Sequence, residues 1–170
     1  MIHNISNDDW MLGEQLGPAF DAIIEHNLVF DALTFPRHLS RLKQLIDRYP
    51  ELTVVIDHGS KPDIESGHFD DWAEQMANIA ASSSASVKLS GLVTEAGDDW
   101  SVQKLKPYVD HLLAVFGPQR VIWGSDWPVC NLASSYQRWC ESTDELLSEL
   151  TATDKAAVLG KNASRVYGIQ

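Results

Sequence analysis

Short apolar runs alternate with amphipathic stripes along this chain, and the alternation predicts its elements. Leu28-Val29-Phe30-Asp31-Ala32-Leu33, Leu52-Thr53-Val54-Val55-Ile56-Asp57-His58, Val87-Lys88-Leu89-Ser90-Gly91 and Val121-Ile122-Trp123 read as strands, bounded by Gly, Pro or polar turn residues. Between them, apolar residues recur at three- and four-residue intervals: Phe20, Ile23 and Ile24 after Pro18; Leu39, Leu42, Leu45, Ile46 and Tyr49 before Pro50; Trp72, Met76 and Ile79; Leu105, Val109, Leu112, Leu113 and Phe116. That spacing is helical. Tyr136, Trp139, Thr143, Leu146, Leu147 and Leu150 form a further stripe, and a short helix near Asp154 to Leu159 closes the chain. Met1-Ile2-His3-Asn4-Ile5 reads as the tail of a strand, followed by a polar loop at Ser6 to Asp9.

The pattern amounts to four complete βα units preceded by a strand end and a helix, which predicts an α/β fold with five parallel strands. There is no residue-level repeat, no low-complexity tract and no linker, so residues 1–170 are expected to form a single domain. A doubly wound nucleotide-binding sheet carries a Gly-rich phosphate loop after an early strand. Neither G-x-G-x-x-G nor G-x-x-x-x-G-K-S/T occurs here, so a barrel-type arrangement is favoured.

The chemistry collects at the strand ends. His3, His58, Ser90 and Asp126 each close a run and are followed by polar turn residues or Gly. In a parallel barrel these ends converge on one mouth, where ligands bind. Because side chains alternate along a strand, Ile122, Gly124 and Asp126 share a face, and the glycine beneath the acid leaves room for a ligand. Asp126 either caps the loop that follows or does chemistry. His58 and Asp126 together form an imidazole and carboxylate pair that suits zinc or manganese, or a single small-molecule substrate.

Composition changes this picture little. The chain has 13 Lys plus Arg against 24 Asp plus Glu, and its net charge of −11 disfavours nucleic acid and anionic membrane as partners. Two cysteines, Cys130 and Cys140, make neither a disulfide framework nor a metal knuckle, and no signal peptide is recognisable, so a cytoplasmic location is expected. Lys61 is read as a solvated loop charge or as a contact for a substrate carboxylate. Lys88, inside an apolar strand, needs an ion-pair partner. Trp123 and Trp127 are expected to pack, and His26, His38, His68 and His111 to face solvent. Cys130 has no base in its own turn to make it a nucleophile.

Three motifs taken together in order, Asp57-His58-Gly59-Ser60-Lys61-Pro62, Val87-Lys88-Leu89-Ser90-Gly91-Leu92 and Trp123-Gly124-Ser125-Asp126-Trp127-Pro128, resemble the signature of the amidohydrolase superfamily. The resemblance is to its amidohydrolase-related branch of metal-dependent TIM-barrel hydrolases, which includes sugar lactonases acting on fuconolactone and rhamnonolactone. The closing segment Gly160 to Gly168 is similar to that family's C-terminal mini-helix. The resemblance implies that His58 ends the sixth barrel strand and Asp126 the eighth. It further implies that Asp126 binds a metal where one is used and takes a proton from the attacking water, while His58 binds metal or the substrate carbonyl. His3 falls where the lactonase branch has a histidine after its fourth strand, although the neighbour that is usually Arg is Ile2 here. Lys61, Ser90 and Trp127 are the remaining substrate-contact candidates.

The family's first strand carries a His-x-His pair, and none occurs in this chain. A (β/α)8 barrel takes about 250 residues. The chain therefore resembles the C-terminal portion of such a barrel, and two functions are expected in parallel: a hydrolase of lactonase type, or a non-catalytic remnant or interaction subunit. Two unpaired sheet edges and an apolar barrel lining would favour self-association.

Overall fold

The computed structural model describes residues 5–169. Strands β1 (Val29–Ala32), β2 (Thr53–Ile56), β3 (Ser86–Leu89) and β4 (Val121–Trp123) pair in parallel in the order 1-2-3-4. Helix α1 (Gly17–Glu25) precedes β1, and α2 (Leu39–Arg48), α3 (Asp70–Ser82), α4 (Val102–Phe116) and α5 (Tyr136–Leu146) follow the four strands in turn. A sheet that advances one strand per βα unit without reversing is the winding of a barrel, since a doubly wound sheet changes direction at a switch point. The expected strand tail at the start of the chain falls on residues outside those described, and His3 with it.

Helix boundaries follow local capping. Ser101 accepts from the Lys104 N–H at 3.3 Å to open α4, and Ser135 accepts from Arg138 N–H at 3.1 Å to open α5. Helix α5 stops at Leu146, short of the predicted Leu150. The C-terminal helix divides into α6 (Ala152–Ala156), a π turn and α7 (Asn162–Tyr167).

The sheet's two faces differ. Ala32, Val54, Ile56, Val87, Leu89 and Val121 point towards the helices and form one core with Leu42, Leu45, Met76, Leu105 and Leu112. The other face, inward in a barrel, carries Asp31, Val55, Asp57, Ser86, Lys88 and Ile122, as the register Asp31↔Val55↔Ser86 and Lys88↔Ile122 requires. Lys88 Nζ lies 2.7 Å from Asp57 Oδ1 and 3.0 Å from Asp31 Oδ1, and the Tyr167 hydroxyl of α7 donates to Asp31 at 2.5 Å. Desolvation works against the Lys88 ammonium, but the bonds to Asp57, Tyr167 and Asp31 outweigh it and raise its pKa above the ordinary value. Burial, then the Asp31 contact, pushes the Tyr167 phenol up to about 12. The inner face is thus crossed by a charged network where an apolar lining was expected. Lys88 has the partners it needed, because Asp31 of β1 and Asp57, just past the end of β2, lie on the same face of the sheet and both reach its ammonium.

Two histidines expected at the surface are inside. His38 is 1% exposed. Its Nδ1 accepts from the Phe35 N–H at 3.0 Å, which leaves Nε2–H to donate to Asp8 Oδ1 at 3.0 Å. The half-buried His111 packs edge-on to Phe69, against Trp72, with Nε2 2.9 Å from the Ala73 carbonyl. His26 and His68 are exposed as expected.

Candidate active site

The site is built by two turns at the C-terminal ends of β2 and β4. After Ile56 the chain turns through His58, Gly59, Ser60 and Lys61 with φ of 52°, 56°, 63° and 51°, four consecutive residues in the left-handed region. Asp126 has φ of 54°. Such a conformation costs about 1–2 kcal/mol for each non-glycine residue, so neighbours must enforce it. Around the first turn they do. Trp72 Nε1 donates to Gly59 O at 2.7 Å, the Ser60 and Thr34 hydroxyls meet at 2.7 Å in a buried contact, and Lys61 N–H closes on His58 O at 2.8 Å. At the second turn Trp139 Nε1 donates to Gly124 O at 3.0 Å, and Cys130 N–H donates to Asp126 O at 2.9 Å.

These two turns bring His58 and Asp126 together on one rim, with Nε2 3.6 Å from Oδ1 and both side chains largely but not fully buried. Ser90, at the end of β3 between them, is 2% exposed, and its hydroxyl lies 2.7 Å from His58 Nδ1. The imidazole has no spare room on one flank: a Cβ on Gly91 would sit 2.7 Å from its Cγ and Nδ1. Gly124 serves a different purpose from the one expected. A Cβ there would meet Ser90 Cβ at 3.2 Å, so the space it leaves is taken by Ser90 and not by a ligand.

Other candidates sort less simply. Lys61 is not a solvated charge, because its Nζ is ion-paired with Glu95 of the loop after β3 and lies 5.9 Å from the centre of the Phe35 ring. Glu95 was not legible beforehand, since its partner is 34 residues away on another βα loop. Trp123 packs as expected and donates from Nε1 to Thr143 Oγ1 at 2.9 Å. Trp127 does not pack: it is 65% exposed beside Asp126, and Val129, Leu132 and Tyr136 are exposed along the same stretch. Cys130 is buried, and burial followed by the nearby Asp126 charge pushes its thiol pKa up, away from nucleophilic use.

The donor set for a metal is partial. A separation of 3.6 Å suits two ligands on one ion with bonds of roughly 2.0–2.2 Å. Among the described residues, however, no group of three or more His, Cys, Asp or Glu side chains comes together, and a catalytic zinc commonly takes three protein ligands. These residues alone do not make a complete metal site.

With this geometry in place, comparison with known proteins decides the family: the amidohydrolase profile matches residues 2–169. The chain belongs to the amidohydrolase family. Over 173 aligned residues this amidohydrolase chain is 42% identical to an L-fucono-1,5-lactonase of Burkholderia ambifaria, covering 99% of this chain and 60% of that protein. An L-fucono-1,5-lactonase of Burkholderia multivorans is 35% identical, over 85% of this chain and 52% of that protein. Two crystal structures of a Burkholderia multivorans amidohydrolase, one with bound HEPES and one with bound zinc, superpose with TM-scores of 0.93 and 0.92 at 29% identity. Each covers 99% of this chain and 63% of that one. The chain thus spans 52–60% of the curated lactonases it matches, and its four-stranded sheet is part of the barrel that the family builds.

Proposed function

We propose that this chain carries the general base of a lactonase-type hydrolase, acting on a sugar lactone or a related cyclic ester or amide. The observation that carries the reading is the meeting of His58 and Asp126 on one rim, 3.6 Å apart, each held in a left-handed conformation that the rest of the turn must sustain. Its chemistry follows from the two groups. The Asp126 carboxylate takes a proton from water as the oxygen attacks the lactone carbonyl, and His58 stabilises the negative charge that develops on the carbonyl oxygen. The ring C–O bond then breaks, and the proton held by Asp126 passes to the leaving alkoxide, giving the open hydroxy acid. The names of the relatives support a sugar lactone as the substrate class.

A divalent cation, zinc or manganese, would be held by Asp126 with further ligands from the rest of the barrel, and by His58 only in the tautomer that leaves Nε2 without its hydrogen. It would supply Lewis-acid polarisation of the carbonyl. Trp127, exposed beside Asp126, offers a flat apolar face to a sugar ring. Lys61 with its Glu95 partner, and His3 at the start of the chain, complete the substrate-side candidates. A second reading, a non-catalytic or interaction subunit, is favoured by the incomplete donor set alone.

The test uses a full-length barrel that contains this chain. Asp126→Asn there is expected to lower turnover of a sugar lactone by about 10²–10⁴-fold, with His58→Ala comparably damaging. Near-normal turnover by the Asp126→Asn enzyme on its best substrate would remove the acid from this role.

A further inference from the structure

Ser90 sits where a hydroxyl can decide which nitrogen of His58 carries the hydrogen. Its Oγ is 2.7 Å from Nδ1, the residue is 2% exposed, and among the described residues the hydroxyl has no other hydrogen-bond partner. A buried O–H that could not donate would be left unsatisfied, at a cost that buried hydroxyls in native proteins rarely bear. The satisfied arrangement has Ser90 donating and Nδ1 accepting. A neutral imidazole then bears its hydrogen on Nε2. The far side of the ring agrees: Nε2 faces Asp126 Oδ1 at 3.6 Å, where an N–H is attracted to the carboxylate and a lone pair would be repelled.

We propose that Ser90 is a positioning residue that fixes His58 as an Nε2–H donor aimed into the reaction space. Gly91 leaves the room the ring needs, since any side chain there would collide with Cγ and Nδ1. Resting on the hydrolase reading, this makes His58 a preformed hydrogen-bond donor to the carbonyl oxygen as it gains charge, with Asp126 free to take the proton from water. Ligation of a cation through Nε2 would need the opposite tautomer, with Nδ1–H donating to Ser90 and the hydroxyl hydrogen finding another acceptor. Ser90 thereby biases this rim towards polarising a carbonyl by hydrogen bonding.

Nitrogen NMR of the labelled 170-residue chain tests the proposal without any need for activity. Spectra are recorded at alkaline pH where the ring signals no longer move with pH, and the pair that vanishes in His58→Gln identifies this residue. Nδ1 is expected to resonate as a pyridine-type nitrogen that accepts a hydrogen bond, and Nε2 as a protonated, pyrrole-type one. In Ser90→Ala, which removes one oxygen atom, the Nδ1 signal should move towards that of an unbonded pyridine-type nitrogen. A protonated Nδ1 in the unsubstituted chain, or an Nδ1 signal indifferent to Ser90→Ala, overturns the proposal. In a complete barrel, Ser90→Ala should lower kcat about tenfold with KM nearly unchanged, because the His58 donor to the carbonyl oxygen loses its fixed orientation and tautomer. An unchanged kcat would overturn the catalytic consequence. A complete barrel with no hydrolase activity would sink the functional reading while the NMR result stands on its own.

Discussion

Gly91 shows how closely single residues constrain this rim. Its φ of +65° is one that L side chains rarely adopt, and the 2.7 Å approach to the His58 ring leaves no space for a methyl group. Gly91→Ala therefore meets both a backbone and a steric penalty. It should destabilise the chain by about 1–3 kcal/mol, read as a lower midpoint in urea. His38 provides a pH-dependent counterpart. Desolvation, then the Arg37 charge, lowers its pKa, and its neutral form already satisfies both ring nitrogens. With the folded pKa below the unfolded one, the unfolded chain binds the extra proton first. The stability His38 contributes is complete above about pH 6.5 and is lost as pH falls through the folded value. Denaturation midpoints measured from pH 7.5 down to pH 5 should fall more steeply for the parent chain than for His38→Gln; equal slopes would remove His38 as the source. Neither residue announced itself in the sequence. The constraint on Gly91 comes from a ring 33 positions earlier, and the burial of His38 depends on Asp8 arriving from a different element.

At the scale of elements the sequence was far more legible, because strand and helix periodicities are local. The runs at 28–33, 52–58 and 121–123 contain their strands, the run at 87–91 overlaps a strand that begins one residue earlier at Ser86 and ends at Leu89, and each amphipathic stripe is a helix on the expected side. The polar strand ends were also readable: His58, Ser90 and Asp126 share one rim because every strand runs in the same direction. What was not readable was pairing between units, such as Lys61 with Glu95 or Tyr167 with Asp31. The Asp31, Asp57, Lys88 and Tyr167 network ties three strands to α7, so its members should matter unequally. Tyr167→Phe removes one hydrogen bond and should cost about 1 kcal/mol. Lys88→Met leaves two carboxylates facing each other without a cation and should cost more, roughly 2–3 kcal/mol, less than a sealed pair because water still reaches the site. Urea midpoints at neutral pH decide the order; Tyr167→Phe costing as much as Lys88→Met would mean that α7 and not the ion pairs holds the face together.

At the scale of the whole molecule, the sheet has two ends of different character. Arg120 O accepts from Val87 N–H of β3, so the next carbonyl, Val121 O, points away from the sheet, and Asn162 Nδ2 donates to it at 2.8 Å while also donating to Pro118 O at 2.8 Å. The buried Asn162 and the segment around it thus shield the lower part of the β4 edge. β1 has no such cover among the described residues: it pairs with β2 alone, and Leu28 beside it is 56% exposed. An open parallel edge is a template for another strand. The purified chain should therefore self-associate through β1, and its sedimentation should depend on concentration. Val29→Lys, which places a charge on that edge strand, should shift the distribution towards monomer, as charged residues on natural edge strands do. The His58 and Asp126 rim bears on activity, since among the described residues it brings together two metal-ligand candidates and no third. Negligible lactone hydrolysis is expected from this chain by itself, with activity appearing when the other strands are supplied in the same polypeptide or as a second one. A concentration-independent monomer that hydrolyses lactones unaided would show that neither the β1 edge nor the rim needs a partner.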